Sequence, residues 1–424
     1  MLDDARDWLN HPVDSRIVDA FRSGLGLVLA FAAARQVGYG WVDALYLQPV
    51  YHFAWFPWAQ VPPEPVLYLL FAVMGASGLA LALAPWIGPW GARLYRPAVV
   101  LHLLAFVYVE LLDKALYLNH YVLVTLLLVV LAVLPAPGQG MRRWGLWMLR
   151  AQFALVWFWA GFCKLNPDWL LRGEPLGSWL GARADLPVVG PLLALPATAL
   201  LWSWGGALYD LSITGWLLWP RTRWAAAAVA TAFHVVIWML FPIGIFPWLM
   251  LLGVGLFFAG GPGPAPDPSP RLGRAGLTGW ACALVVVGLV PARFAFLPGP
   301  VLWTEAGYRF AWRVMLTEKT GHVTYTAVDR HTGERWVLRP TAELEPWQHE
   351  QMRTQPDMIA QYGRHLADRL ARQGHDVAIY ADAWASMNGR RAQRLLRDDV
   401  DLTQPDAALW AQDWVVPLED PLPW

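Results

Sequence analysis

Along most of the chain, apolar residues come in long runs with the polar residues gathered between them. Nine such runs lie near residues 17–36, 66–85, 97–112, 118–134, 148–164, 196–219, 224–241, 243–260 and 276–296. Each reaches or approaches the roughly 17 to 25 residues that a helix needs to cross a bilayer. The third, fourth and fifth are short and carry Glu110, Asp113, His120 and Lys164, whereas the eighth and ninth are the cleanest. The pattern predicts a mainly α protein, a polytopic membrane helical bundle of about nine spans over residues 1–296. After Pro300 the period changes. Residues 322–328 and 335–338 read as two strands about a turn at Asp329 to Gly333, and residues 377–387 as a third, followed by turn residues Asn388 and Gly389. Between them, residues 345–373 form an amphipathic helix with Met352, Met358, Ile359, Tyr362, Leu366 and Leu370 on one face. Residues 297–424 therefore make a small α+β domain, whose modest apolar content implies that it leans on the membrane domain.

Orientation follows from the basic residues. Arg6 and Arg16, Arg93 and Arg96, Arg142 and Arg143, Arg221 and Arg223, and Arg271 and Arg274 fall in alternate connections, while residues 37–65 contain no Lys or Arg. The positive-inside rule then puts the N-terminus in the cytoplasm of a cell (inner) membrane, and nine spans put the C-terminal domain outside. The polar, mixed-charge start of the chain gives no sign of a cleavable signal. Tyr39–Pro65, dense in Trp, Tyr and Phe, is expected to lie in the headgroup layer, and the Pro/Gly run Gly260–Pro270 to form a loop.

Charge sharpens this picture. Of 424 residues 57% are hydrophobic, and the 32 basic and 32 acidic residues balance. Half of those charges fall in residues 1–300 and half in the much shorter remainder, so lipid surrounds the first part and water the second. Two cysteines and no net charge exclude a disulfide scaffold and a nucleic-acid binder that works through excess positive charge. Only three lysines occur, Lys114, Lys164 and Lys319, so a lysine inside an apolar run needs a reason.

Few polar groups stand at membrane depth, and each is costly unless it faces a cavity or a partner. His120 opens the fourth run and Lys164 closes the fifth, which places both at the outer surface on antiparallel neighbours. Lys164 is either a snorkelling lysine or an amine kept neutral by desolvation and so able to act as a base; Asn166-Pro167-Asp168-Trp169 stops the helix at once and supplies a neighbouring carboxylate. His120 is equally a core histidine bonded to a carbonyl or a catalytic one, and His234 is structural or cavity-lining. No HExxH occurs and Cys163 and Cys282 fall at opposite ends of the bilayer, so no metal set and no disulfide are expected.

These residues stand in recognisable blocks. Leu112–Tyr121, Phe158–Trp169, Phe233-His234 with Leu240–Phe246, Gly307–Leu316, Gln355–Tyr362 and Tyr380–Asn388 together resemble the vitamin K-dependent gamma-carboxylase family, in its order and over nearly the whole chain. The length suggests a short, bacterial-type homologue. The resemblance implies that a reduced naphthoquinone, vitamin K hydroquinone or a menaquinol type, reacts with O2 to the epoxide and generates a base that removes the γ-proton of a glutamate in a peptide or protein, after which CO2 adds. It implies Lys164 as the base toward the quinol and His120 on the glutamate side. Asn119, His234, Phe241, Tyr308, Arg309 and Arg313 are then candidates to line the site, Arg309 and Arg313 being equally suited to structural salt bridges. Two departures bear on function. Vertebrate members often carry two adjacent lysines where this chain has Cys163-Lys164, and animal members extend further after the last block, so a surface that captures a propeptide is expected to be reduced. The rival readings are a quinol epoxidase or oxidase without carboxylation and a non-enzymatic quinone- or lipid-binding membrane protein. Membrane lipid is an expected partner in every case, and nucleic acid in none.

Overall fold

The computed structural model describes residues 2–263, 269–404 and 413–419. Its membrane part runs through α1 (Leu2–Leu9), α2 (Arg16–Gly38), α3 (Glu64–Leu83), α4 (Gly88–Glu110), α5 (Asn119–Val133) and α6 (Arg143–Cys163). Two short helices, α7 (Leu176–Gly181) and α8 (Gly190–Leu193), precede α9 (Pro196–Leu218), α10 (Arg223–Leu240), α11 (Phe246–Leu256), α12 (Arg274–Leu289) and the short α13 (Val301–Thr304). Each of the nine expected runs is helical, and the chain is a multi-pass membrane protein. Among the described residues six helices are long and apolar enough to cross: α2, α3 with its extension to Trp86, α4, α6, α10, and α12 with its extension to Phe296. The helices α5 and α11 are apolar but shorter, and α9 carries Ser203, Asp210 and Ser212 along its length.

The eighth run, expected to be among the cleanest, gives the shortest helix of the nine. Its 11 residues cover only about 17 Å at 1.5 Å per residue. The helix starts late, with Pro247 in its first turn, and Arg150 ends it by donating to the carbonyls of Leu256 and Ala259 at 3.0 and 2.7 Å. The expected loop at Gly260–Pro270 lies partly outside the described residues.

Small residues set how closely the helices approach. A Cβ on Gly78 of α3 would lie 2.8 Å from the backbone nitrogen of Ala30 on α2, and one on Gly161 of α6 would lie 2.9 Å from that of Leu211 on α9. Such contacts are how helices pack in lipid, where apolar side chains gain little by leaving the solvent.

The C-terminal domain, called outer after the side of the membrane that the charge pattern predicts for it, is a four-stranded antiparallel sheet of order β2-β1-β3-β4, with β1 (Lys319–Asp329), β2 (Arg335–Leu338), β3 (Val377–Met387) and β4 (Gln393–Arg394). Helices α14 (Pro346–Met352) and α15 (Pro356–Ala371) connect β2 to β3. The single helix expected over residues 345–373 is therefore two. Gln355 is held extended by the following Pro356, which also cannot donate to the previous turn. The face expected to be apolar is buried: Met352, Met358, Ile359, Tyr362, Leu366 and Leu370 pack with Val323, Tyr325 and Ala327 of β1 and with Ile379 of β3. Asn388 and Gly389 both have positive φ, 50° and 75°, and close the turn after β3.

Part of the Tyr39–Pro65 segment does something other than line the headgroups. Phe53 is fully buried in the outer domain's core, and Tyr51 packs on His365 with ring centroids 4.2 Å apart. Gln348 and Gln361 bond the carbonyls of Tyr51 and Ala54 at 2.7 and 3.1 Å. Only a fraction of its aromatics, Phe56 and Trp58 among them, is left exposed. An aromatic-rich segment serves a headgroup layer and an interdomain core equally well, so composition does not separate the two.

Candidate functional site

Two cavities meet beneath the outer domain. Lys164 terminates α6, where Asn166 bonds the Cys163 carbonyl at 2.8 Å and accepts from the Trp169 nitrogen at 3.0 Å, turning the chain sharply. The lysine is buried, 7% exposed. Its Nζ donates to Oδ2 of Asp210 on α9 at 2.6 Å and to the Ala160 carbonyl at 3.3 Å, and lies 5.3 Å from the Trp169 ring. The chamber around it measures about 90 Å³ and is otherwise walled by Trp157, Trp202, Phe233, Ile237 and similar side chains, with His234. The imidazole Nδ1 of His234 lies 2.8 Å from the Ala230 carbonyl. A carbonyl only accepts, so Nδ1 carries the hydrogen and Nε2 is left as the acceptor.

The carboxylate beside the amine is thus Asp210, not Asp168 as expected. Asp168 faces the other way and takes a two-pronged bond from Arg390, 2.7 Å on each oxygen, with Asn388 at 3.0 Å. It anchors the outer domain instead of tuning the lysine.

The second cavity is larger, about 680 Å³, and more polar than the first. Asn119, His120, Tyr308, Arg309 and Arg313 all line it, together with Phe241 at its border with the first. His120 is buried against Tyr121 and Phe246, and its Nε2 lies 3.7 Å from where a Cβ on Gly244 would stand. Gly244 itself has φ of 61°, so a side chain there would strain the backbone, while its Cβ would only touch the imidazole. No carbonyl partner satisfies the ring of His120 among the described residues. Asn119 is oriented by Tyr117 at 3.1 Å.

The two arginines divide. Arg309 is held by Asp357 at 2.7 Å and by Gln355, and lies over Trp55. Burial alone would raise the Asp357 carboxyl, but Arg309 and Lys114 beside it outweigh that and hold it below the usual carboxylate range. Arg313 has no such acid among the described residues; its guanidinium sits 4.2 Å from the Phe294 ring centroid with Nε unbonded. A buried, unpaired guanidinium beside a polar cavity is suited to a carboxylate from outside. Arg35 lines the same cavity, lies over Trp41 and also leaves Nε unbonded. The sequence signal for Arg35 was its place at the end of a span, beside a connection, residues 37–65, without Lys or Arg.

The cavities share a wall of Phe241, Ile243, Phe246, Val314 and Met315. Lys164 and His234 lie on one side of it, and His120 and the arginines on the other. Among the described residues no cluster of His, Cys, Asp and Glu is arranged to hold a metal, and Cys163 and Cys282 are both free thiols.

Residues 10–260 match the family model of the HTTM domain, and residues 275–421 match that of the vitamin K-dependent gamma-carboxylase lumenal domain. No solved structure matches the chain.

Proposed function

The chain belongs to the vitamin K-dependent gamma-carboxylase family, and from that premise we propose that its two chambers divide a coupled reaction, reduced naphthoquinone in the Lys164 chamber and a glutamate side chain in the His120 chamber. The observation that carries this reading is their shared wall, with an amine–acid pair in apolar surroundings on one side and a histidine with a free guanidinium on the other. When bound, the reduced naphthoquinone supplies, through its oxygenation to the epoxide, the base that removes the glutamate γ-proton; CO2 then adds to that carbon.

The residues of the first chamber fit such a ring. Its walls are aromatic and aliphatic, and its polar groups are confined to the pair and His234. Its volume is well below the roughly 300–1,000 Å³ of sites that enclose drug-sized ligands, so the ring enters as Phe241, Ile243 and Phe246 yield. Lys164 and Asp210 act as one unit, an ammonium with a carboxylate or an amine with an acid. Taking one proton from a bound hydroxyl raises the net charge of the pair from zero to +1, opposite the negative charge that the transfer leaves. A charge created in a low-dielectric chamber is thereby compensated where it forms. In the second chamber Arg313 holds the substrate carboxylate and His120 stands at the glutamate side chain, its ring free of competing bonds.

Orientation is part of the proposal. The arginine pairs at one end of the bundle support a cytoplasmic N-terminus and nine spans, with the outer domain and both chambers' mouths on the far side of a cell membrane. A lipid-soluble quinol then arrives from the bilayer and a polypeptide from the aqueous face. The test supplies purified protein with reduced naphthoquinone, labelled bicarbonate and a glutamyl peptide. Epoxide and fixed label formed in proportion support the reading. Epoxide with no fixed label would point to an oxidase, and neither product under any quinol would remove both enzymatic readings.

A further inference from the structure

The opposite end of the bundle holds the mouth of a second pair of joined cavities, of whose lining the proposed reaction uses Asp210 alone. One, of about 420 Å³, is lined by Arg143, Arg150 and Arg223 with Trp8, Trp147 and Phe258. The other, about 390 Å³, is a groove between α6, α9 and α12 lined by Ala151, Ala154, Leu155, Leu211 and Leu284, and it ends at Asp210. Trp147, Arg150 and Leu218 border both, so the two form one cleft, basic at its mouth and apolar along its length.

None of the three arginines has an acidic partner among the described residues. Arg150 is 8% exposed and spends Nε and Nη2 on the carbonyls that end α11, which fixes its fork and leaves Nη1 unbonded. Arg223 bonds the carbonyls of Leu217 and Leu218, and Arg143 that of Trp8. Both α6 and α10 begin at this mouth, at Arg143 and Arg223, so two positive helix ends add to the three guanidinium charges. Like charges gathered in one cleft repel unless an anion joins them, and guanidinium forks match phosphate oxygens. A free phosphate would leave the groove unexplained. The groove follows α6 from Trp147 to Phe158, about 16 Å at 1.5 Å per residue, which is close to half of the roughly 30 Å hydrocarbon core.

We propose that this cleft binds one anionic phospholipid of the surrounding leaflet, its phosphate among Arg143, Arg150 and Arg223 and one acyl chain in the groove that runs to Asp210. The tryptophans at the mouth sit at headgroup depth, where indole rings are favoured. The proposal rests on these cavities and not on the reaction assigned to the far end, which the groove touches at Asp210.

The test measures lipid retained by the full chain, purified in detergent and titrated with palmitoyl-oleoyl phosphatidylglycerol or its phosphatidylcholine counterpart, by native mass spectrometry. One phosphatidylglycerol is retained in preference to phosphatidylcholine, and Arg143→Gln with Arg223→Gln weakens it about 30-fold, at the usual contribution of each basic residue near anionic lipid. Ala154→Trp leaves the charges in place, fills the groove and also lowers retention. Equal binding of the two lipids overturns the proposal, as does displacement of phosphatidylglycerol by inorganic phosphate at equal concentration, which would make this a free-anion site. Retention unchanged in a folded variant overturns it too. If the double arginine variant does not fold, Ala154→Trp decides alone.

Discussion

In the proposed reaction the chemistry turns on Lys164 and Asp210, and stability and reaction can be separated there. Removing one partner of a buried ion pair typically costs about 3–5 kcal/mol, whereas replacing both by apolar groups of similar size is often neutral or better. Lys164→Met alone is therefore expected to lower the melting temperature and abolish epoxidation, while Lys164→Met with Asp210→Leu regains the melting temperature and stays inactive. Turnover by the double variant would reduce the pair to a structural element. The lysine was legible in the sequence because it is one of three in the chain and closes an apolar run. Its partner was not, since a lone aspartate 46 positions away carries no local mark of where it points. Asp168 did carry such a mark, and chain proximity misled: the sharp turn at Asn166 swings that carboxylate away to Arg390. The other two lysines are paired as well, Lys114 with Asp357 and Lys319 with Glu305 at 3.6 and 3.3 Å.

At the scale of elements, the pair exists because α6 and α9 come unusually close. A Cβ on Gly161 would meet Leu211 and the side chain of Asp210, three residues before the lysine. Gly161→Val should push the helices apart, lower stability by about 1–3 kcal/mol and reduce epoxidation further than the loss of folded protein explains. Gly215 on α9 provides the control, because a Cβ there meets nothing within 4 Å; Gly215→Ala should leave turnover unchanged and the melting temperature the same or slightly higher. Apolar runs located the nine longer helices of the membrane part among the described residues, but their lengths depended on contacts between elements. The eighth is short because Arg150, from another helix, takes its last carbonyls. Three of the four strands were readable from alternation, as β3 at Val377–Met387 illustrates, whereas the two-residue β4 at Gln393–Arg394 is too short to alternate and was missed. The break at Pro356 was also written in the sequence, where the continuous apolar face of residues 345–373 masked it.

At the scale of the molecule, the outer domain is a roof over both chambers, fixed among other contacts by Arg390 on Asp168, Gln348 on Asp113, and Lys114 on Asp357. The last has a pH signature. Asp357 is held below the ordinary carboxylate value of 3.8 in the folded chain, so its contribution is complete above that value and is lost as pH falls through the lower folded one. Docking measured by protease protection of the outer domain should accordingly hold down to about pH 4 and fail below it. The orientation proposed for this roof is testable directly. Asp398, exposed on the outer domain, replaced by cysteine should react with a membrane-impermeant thiol reagent in intact cells; reaction only after lysis would reverse the orientation or change the number of spans.

The division of labour between the chambers is tested most directly by following epoxide and fixed label together in Lys164→Ala and His120→Ala with reduced naphthoquinone, labelled bicarbonate and a glutamyl peptide. Loss of both products in Lys164→Ala, and continued epoxide with label lowered about 10²–10⁴-fold in His120→Ala, is the predicted result. Epoxidation retained by folded Lys164→Ala, or both products lost in equal measure in His120→Ala, would contradict it.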